Sequence, residues 1–372
     1  MKTIREEARE KFAAVEAMFA DREYAFRAIS PLAGGEIAVE LQRDERLHSL
    51  GGLNAVLDRA TDELRRDLNV ASRLIDAVLE RAPALPISDA RLILRGRALR
   101  LQAWVLRERG AVREARVLLA EAYAVLATTS AGAVEREYAR LLDAYILSET
   151  GQVDEALAIV REAVEHFALL SDAKGQLQAL LTEAAIHFEQ DDFKAARSIY
   201  ERTLPLAESV RDVRGRALSL GNLGICAARL GEITRALTYF AQALPLYAEL
   251  GMSTNRQQIL WEMAKLAVGQ DRLADACYQF ASVREDFLRR GMFLSAAFVA
   301  LDFTEVLIAI GRRGTARQWC EELVRTFSSA GLPGFVLSAL RRLEETAKKG
   351  QLDEQVLGNV RADIREHLQA CA

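Results

Sequence analysis

The chain has 372 residues, 51% hydrophobic and 27% charged, a balance that excludes a disordered polyelectrolyte and predicts a folded protein. With 49 Lys and Arg against 53 Asp and Glu the net charge is −4, which argues against a general nucleic-acid or membrane-surface binder. Aromatic residues make up 7% and there are 6 prolines, too few strand and turn formers for an all-β fold.

Residues 1–52 read as an N-terminal helical extension of two or three segments, interrupted at Ser30–Gly35. Charged and apolar residues mix at helical spacing through Met1–Ala20, so no secretory signal is expected there, and no run of eighteen apolar residues predicts a membrane span. Residues 53–92 read as a divergent helix pair closed by the break ALPISDA. Within it, LRRDLNVASRLIDAVL (64–79) has a faint helix-turn-helix look, but Ala71 falls into an alanine column that belongs to a repeat.

From residue 93 to residue 350 the sequence keeps a forty-residue period. The turn signals Gly110, Gly151, Asp191, Gly231, Asp271 and Gly311 recur at intervals of 41, 40, 40, 40 and 40, and Gly251, Gly291 and Gly331 mark a second series. Five residues after each member of the first series stands an alanine: Ala115, Ala156, Ala196, Ala236, Ala276 and Ala316. Seven residues before each stands another small residue: Ala103, Ala144, Ala184, Gly224, Ala264 and Thr304. Apolar residues between the turns recur at i, i+3, i+4 and i+7, so each unit predicts two amphipathic helices. The small columns have a physical reason, because large side chains hold crossing helices apart. Residues 351–372 predict a capping helix whose Val356, Val360, Ile364 and Leu368 would cover the apolar face of the last repeat.

The motif LGNLG…LGEITRALTYFAQAL, residues 220–244, resembles the tetratricopeptide repeat (TPR). The forty-residue form is similar to repeats in bacterial signal-transducing regulators with TPR-like sensor domains. The resemblance covers about residues 93–350, with Gln102, Asp143 and Glu183 standing where the family usually has Leu. It implies an all-α, right-handed α-α superhelix of six to seven helix pairs, in which the first helix of each pair lines a concave surface. Residues nine before the turns would point into that surface: Thr182, Asn222, Glu262 and Asp302. Gln178, Gln258, Trp261, Lys265 and Glu305 would lie nearby, with Arg97, Arg100, Trp104, Tyr138 and Tyr145 in the first two units. The implied groove runs from basic and aromatic to acidic.

A protein or peptide ligand is the expected occupant. Asn222 would bond peptide backbone, so Asn222→Ala should leave folding nearly intact, while Trp104, Tyr145 and Trp261 would anchor apolar groups. Glu262, Asp302 and Glu305 would favour a basic group on the ligand. The sequence holds no P-loop, no HExxH, no nucleophile elbow and no paired Cys/His spacing, so neither an enzyme nor a metal or cofactor is expected. His48, His166, His187 and His367 are scattered, and Cys226, Cys277, Cys320 and Cys371 read as reduced thiols of a cytoplasmic protein. Association of two copies stays open. The alternative reading is a regulator of the helix-turn-helix plus TPR type that lacks its DNA-binding domain or has diverged there.

Overall fold

The structure is a computed structural model that describes residues 4–32, 34–64, 67–109, 111–289, 292–328, 334–351 and 353–371. The expected turns at Gly110, Gly291 and Gly331 lie outside the described residues, as do the side chains of His367, Leu368 and Cys371. Among the described residues there is no strand, and no helix is long and apolar enough to cross a membrane.

The first helices are α1 (Ile4–Ile29), α2 (Gly34–Arg43), α3 (Leu50–Glu63), α4 (Leu68–Arg81), α5 (Asp89–Glu108) and α6 (Val112–Ala127). They are followed by α7 (Ala133–Glu149), α8 (Val153–Leu169), α9 (Ala173–Glu189), α10 (Phe193–Ser209), α11 (Val213–Arg229) and α12 (Ile233–Glu249). The chain ends with α13 (Ser253–Gly269), α14 (Leu273–Arg289), α15 (Phe293–Ala309), α16 (Arg313–Ser328), α17 (Gly334–Lys348) and α18 (Glu354–Cys371). From α3 to α8 and from α10 to α18 each helix packs on the next, the helix-pair organisation of a TPR-like α-solenoid.

The expected repeat length has a simple origin. Each helix from α7 to α15 is 17 residues long. Three-residue turns join the helices from α7 to α16 wherever the chain is described, so the backbone repeats every twenty residues and the side-chain pattern every forty. Each turn carries one left-handed residue: Gly151, Ser171, Asp191, Arg211, Gly231, Gly251, Asp271 and Gly311. The hydrogen bonds around them are alike. Gly231 N–H donates to Ala228 O at 3.1 Å and Glu232 N–H to Ala227 O at 2.9 Å; Arg211 N–H donates to Glu208 O and Asp212 N–H to Ala207 O. This 6→1 and 5→2 pair is the Schellman stop, which satisfies the last carbonyls of a helix. The carboxylates of Asp172, Asp192 and Asp212 then accept the N–H three residues on and start the next helix.

Both small-residue columns are inside. Ala115, Ala156, Ala196, Ala236, Ala276 and Ala316 are all 0% exposed, as are Ala103, Ala144, Ala184, Ala264 and Thr304. At Gly224 even a methyl would not fit, because an added Cβ would lie 2.4 Å from Phe240 Cε1.

The chain divides into two compact units, Met1–Ala179 and Leu180–Ala372. In the first, α1 packs on α3 and the sequence from α3 to α8 stacks helix on helix. Of the stretch with the helix-turn-helix look, residues 68–79 lie in α4, which packs on α3 and α5 with Ala71, Leu74, Ile75 and Val78 buried. In the second, α10 to α18 stack in order and α18 also reaches α15. The cap buries Leu357, Val360 and Ile364, while Val356 is only partly covered. The spacing of three and four follows the 3.6-residue helical period more closely than the expected run of fours.

Candidate functional site

The basic and aromatic candidates of the first unit are engaged by their own chain. Arg97 Nη2 donates to Asp58 Oδ1 at 2.8 Å. Arg100 donates to Glu135 Oε2 at 3.1 and 3.2 Å and lies 5.4 Å from the centre of the Tyr138 ring. Burial pushes the Tyr138 hydroxyl up to about 12, so it stays a neutral hydrogen-bonding group. The Arg107 guanidinium covers the ring of Tyr145 at 4.1 Å and bonds Glu149. Trp104 is half-buried against two hydrophobic clusters of this unit, which makes it a packing residue. Gln178 is exposed on α9.

In the second unit five of the twelve candidates come together. Gln258, Trp261, Glu262, Asp302 and Glu305 line one cleft of about 530 Å³. Arg229 from α11, Lys265 and Val268 from α13, Phe298 and Val306 from α15, and Arg361 from α18 complete its walls. The helices that carry these side chains start forty residues apart, at Val213, Ser253 and Phe293. Equal register therefore brings position 262 level with 302, as the sequence period implies.

Thr182 and Asn222 do not line the cleft. Thr182 is 8% exposed and sits within the packing of α9, so it offers no open groove contact. Asn222 is half-buried, and its Nδ2 donates to the Tyr200 hydroxyl at 3.0 Å. The amide that was expected to face a ligand freely already holds a neighbouring helix.

The cleft's charges form an alternating ladder. Arg229 Nη2 meets Glu262 Oε1 at 3.0 Å, and the same oxygen meets Lys265 Nζ at 3.0 Å. Lys265 Nζ lies 3.3 Å from Asp302 Oδ2, and Arg361 Nη2 bridges Asp302 Oδ1 at 2.6 Å and Glu305 Oε2 at 3.0 Å. Trp261 Nε1–H donates to Asp302 Oδ2 at 2.8 Å, and Lys265 lies 4.3 Å from the centre of the Trp261 ring. Glu262 is 3% exposed, and two cations face its carboxylate. Glu262, Asp302 and Glu305, expected to favour a basic group on a ligand, are each matched by a cation of this chain. Along the chain only Lys265 stands near its partner, three residues from Glu262; Arg229 is 33 residues from Glu262, and Arg361 is 59 and 56 residues from Asp302 and Glu305.

The resulting surface combines three cations and three carboxylates with the apolar side chains of Val268, Phe280, Phe298 and Val306. Its volume falls in the range of roughly 300–1,000 Å³ usual for ligand pockets. The sequence reading missed Arg229, Phe298 and Arg361. Arg229 follows Asn222 by seven residues, two turns along the same helix face, which was a readable signal. Arg361 sits on the cap helix beside Val360, where attention to the apolar stripe hid the polar one.

Neither His166 nor His187 lines this cleft; His166 lies beside Glu137 at 3.1 Å and His187 beside Asp192 at 3.5 Å. Among the described residues no group of three or more His, Cys, Asp and Glu is arranged to hold a metal ion.

Residues 142–209 and 176–249 match the sequence profile of the Tetratricopeptide repeat family. No curated protein matches the chain. Among solved structures it is similar to a Rap protein complexed with competence and sporulation factor, at 12% identity and a TM-score of 0.63, over 86% of this chain and 88% of that one. It is also similar to aspartyl phosphate phosphatase F from Bacillus subtilis, at 11% identity and a TM-score of 0.58, over 88% and 89%. A third is the Rap conjugation gene regulator of the plasmid pLS20 in complex with a Phr peptide, at 12% identity and a TM-score of 0.59, over 80% and 76%. At such identities the likeness is one of fold.

Proposed function

We propose that this chain of tetratricopeptide-like repeats is a non-enzymatic scaffold or sensor that binds a peptide or a short segment of a partner protein and regulates that partner. The observation that carries the reading is the cleft of about 530 Å³ in the second unit, built by α11, α13 and α15 in equal register. Its charged wall is prepaid by the ladder, so a ligand does not have to neutralise a buried charge on entry. Trp261 is of a residue type enriched at binding hot spots. Gln258 adds an amide that can both donate to and accept from an extended backbone. The Rap protein and the pLS20 regulator, solved with a factor and a peptide, lend support by analogy of fold. The regulated partner acts in the cytoplasm on this reading.

The test is selection of short peptides from a random display library on the full chain, followed by titration of the enriched sequences. Binding should fall at least tenfold in a Gln258→Ala, Trp261→Ala double variant. Enrichment of nothing, or affinity that ignores both substitutions, refutes the assignment of the cleft. No observation favours the helix-turn-helix alternative, whose candidate segment packs as α4 between α3 and α5.

A further inference from the structure

The cleft's third cation does not come from the repeats. Arg229, Lys265, Glu262, Asp302 and Glu305 all belong to α11, α13 and α15, which together bring two positive and three negative charges. Arg361 alone arrives from the cap helix α18 and closes the balance. Its fit is incomplete. The guanidinium contacts both carboxylates through the single nitrogen Nη2, and its buried Nε has no hydrogen-bond partner. A guanidinium has five N–H donors and pairs best when two of them engage a carboxylate side by side.

The acceptor side, by contrast, does not depend on Arg361. Asp302 Oδ2 is held by Trp261 Nε1 and by Lys265 Nζ, so the carboxylate keeps its place if Arg361 leaves. Glu305 is 44% exposed at its side chain and is reachable from outside the cleft. The cap helix has its own seat besides: Leu357, Val360 and Ile364 are buried in the hydrophobic core, and Arg342 of α17 pairs with Asp363. The Arg361 side chain can therefore leave without unfolding α18.

From this geometry we infer that Arg361 is an internal occupant of the cleft, held in the place of a ligand's cationic side chain, and that ligand binding displaces it and loosens α18 from α15. The inference rests on the reading of the cleft as a binding site and adds its regulation: the C-terminal helix competes with the ligand and reports its arrival. The group that exchanges is a guanidinium, since a guanidinium is what the Asp302–Glu305 pair now holds.

The experiment uses the full chain, its Arg361→Gln and Arg361→Lys variants, and two probes, Nα-acetyl-arginine amide and the uncharged Nα-acetyl-citrulline amide. Binding is read by calorimetry and by the indole N–H resonance of Trp261, assigned with Trp261→Phe. Backbone hydrogen exchange of α18 is followed in the same samples. The expected results are at least tenfold tighter binding of the arginine probe to Arg361→Gln, affinity near that of the unmodified chain for Arg361→Lys, and weak binding of the citrulline probe throughout. The arginine probe should also accelerate exchange in α18 of the unmodified chain and leave α18 of Arg361→Gln unaltered, because no contact remains to be broken.

Equal or weaker binding to Arg361→Gln overturns the inference, and so does probe binding with no change in α18 exchange of the unmodified chain. The two readings fail separately. Selected peptides that bind at Gln258 and Trp261 with the same affinity in Arg361→Gln, and without effect on α18, would leave the binding reading intact and remove the competition. Displacement of Arg361 by the arginine probe, with no peptide bound by the cleft, would do the reverse.

Discussion

Replacing Gly224 by alanine sets two physical effects against each other, and the structure decides the sign. Gly224 lies in the interior of α11, where glycine costs about 1 kcal/mol relative to alanine through backbone entropy. Propensity alone therefore predicts a stabilised protein, and four other units do carry alanine in this column. Here the added Cβ would lie 2.4 Å from Phe240 Cε1 and 2.5 Å from Cδ1, with the carbonyl of Ala236 3.3 Å away on the facing helix. Phe240 is 0% exposed, so its ring cannot swing into solvent, and α12 or α11 must move instead. Overpacking of this kind costs about 1–3 kcal/mol. A contact this far inside the carbon–carbon distance belongs in the upper part of that range, which leaves a net loss of about 1–2 kcal/mol after the propensity gain. Urea unfolding followed by circular dichroism would read the loss as a lower midpoint, and hydrogen exchange would place it in α11 and α12. The Phe240→Leu background supplies the decisive comparison. With the ring gone, Gly224→Ala should stabilise, so the coupling between the two positions isolates the contact. A Gly224→Ala protein more stable than its parent, or the same response in both backgrounds, would refute the argument from close helix approach.

Two further perturbations follow from the same backbone. Arg211 holds the left-handed turn position at φ 55°, and Arg211→Gly should raise stability by about 1 kcal/mol by relieving that conformation, seen as a higher unfolding midpoint; a lower one would mean the arginine side chain matters more than its backbone. Asn222→Ala removes a partly buried bond to Tyr200 and should cost about 1 kcal/mol of stability, contrary to the near-intact folding expected from the sequence; an unchanged midpoint in the same assay would restore the view that the amide faces outward.

The repeat was legible because its cause is local and recurs. Close helix crossing needs a small residue, so alanine marks each crossing, and all six alanines of the first column are buried. The cap helix was legible for the same reason, through its apolar period. The turns were legible at six of the eight described positions between α7 and α16. Gly and Asp tolerate the left-handed conformation and were recognised, but Ser171 and Arg211 adopt it as well. Their turns are held by the two Schellman hydrogen bonds between main-chain atoms, as at Asp172 N–H to Phe167 O and Ser171 N–H to Ala168 O. Those bonds carry no side-chain signature. Where the backbone network fixes a conformation at every twentieth residue, single positions can depart from the preferred residue at a modest cost that the rest of the unit absorbs.

The cleft was legible by position and illegible by charge. Register alone brought residues 258, 261, 262, 302 and 305 to one surface, because equal helices and equal turns conserve the side-chain direction from unit to unit. The electrostatic character of that surface depends on partners that no period announces. Read along the chain, Glu262, Asp302 and Glu305 form an acidic end. In the folded unit, each is neutralised by a cation from a different helix, and one of these cations comes from outside the repeat array. A buried carboxylate such as Glu262 obliges some positive group to stand beside it, since an unpaired charge there would cost several kcal/mol. Sequence can state that obligation without saying which residue meets it. In a stacked array the obligation passes from helix to helix, Arg229 to Glu262 to Lys265 to Asp302, and ends where the array ends. The outer oxygens of the last carboxylates, Asp302 Oδ1 and Glu305 Oε2, are then open to a cap or a ligand, and that is the position Arg361 occupies.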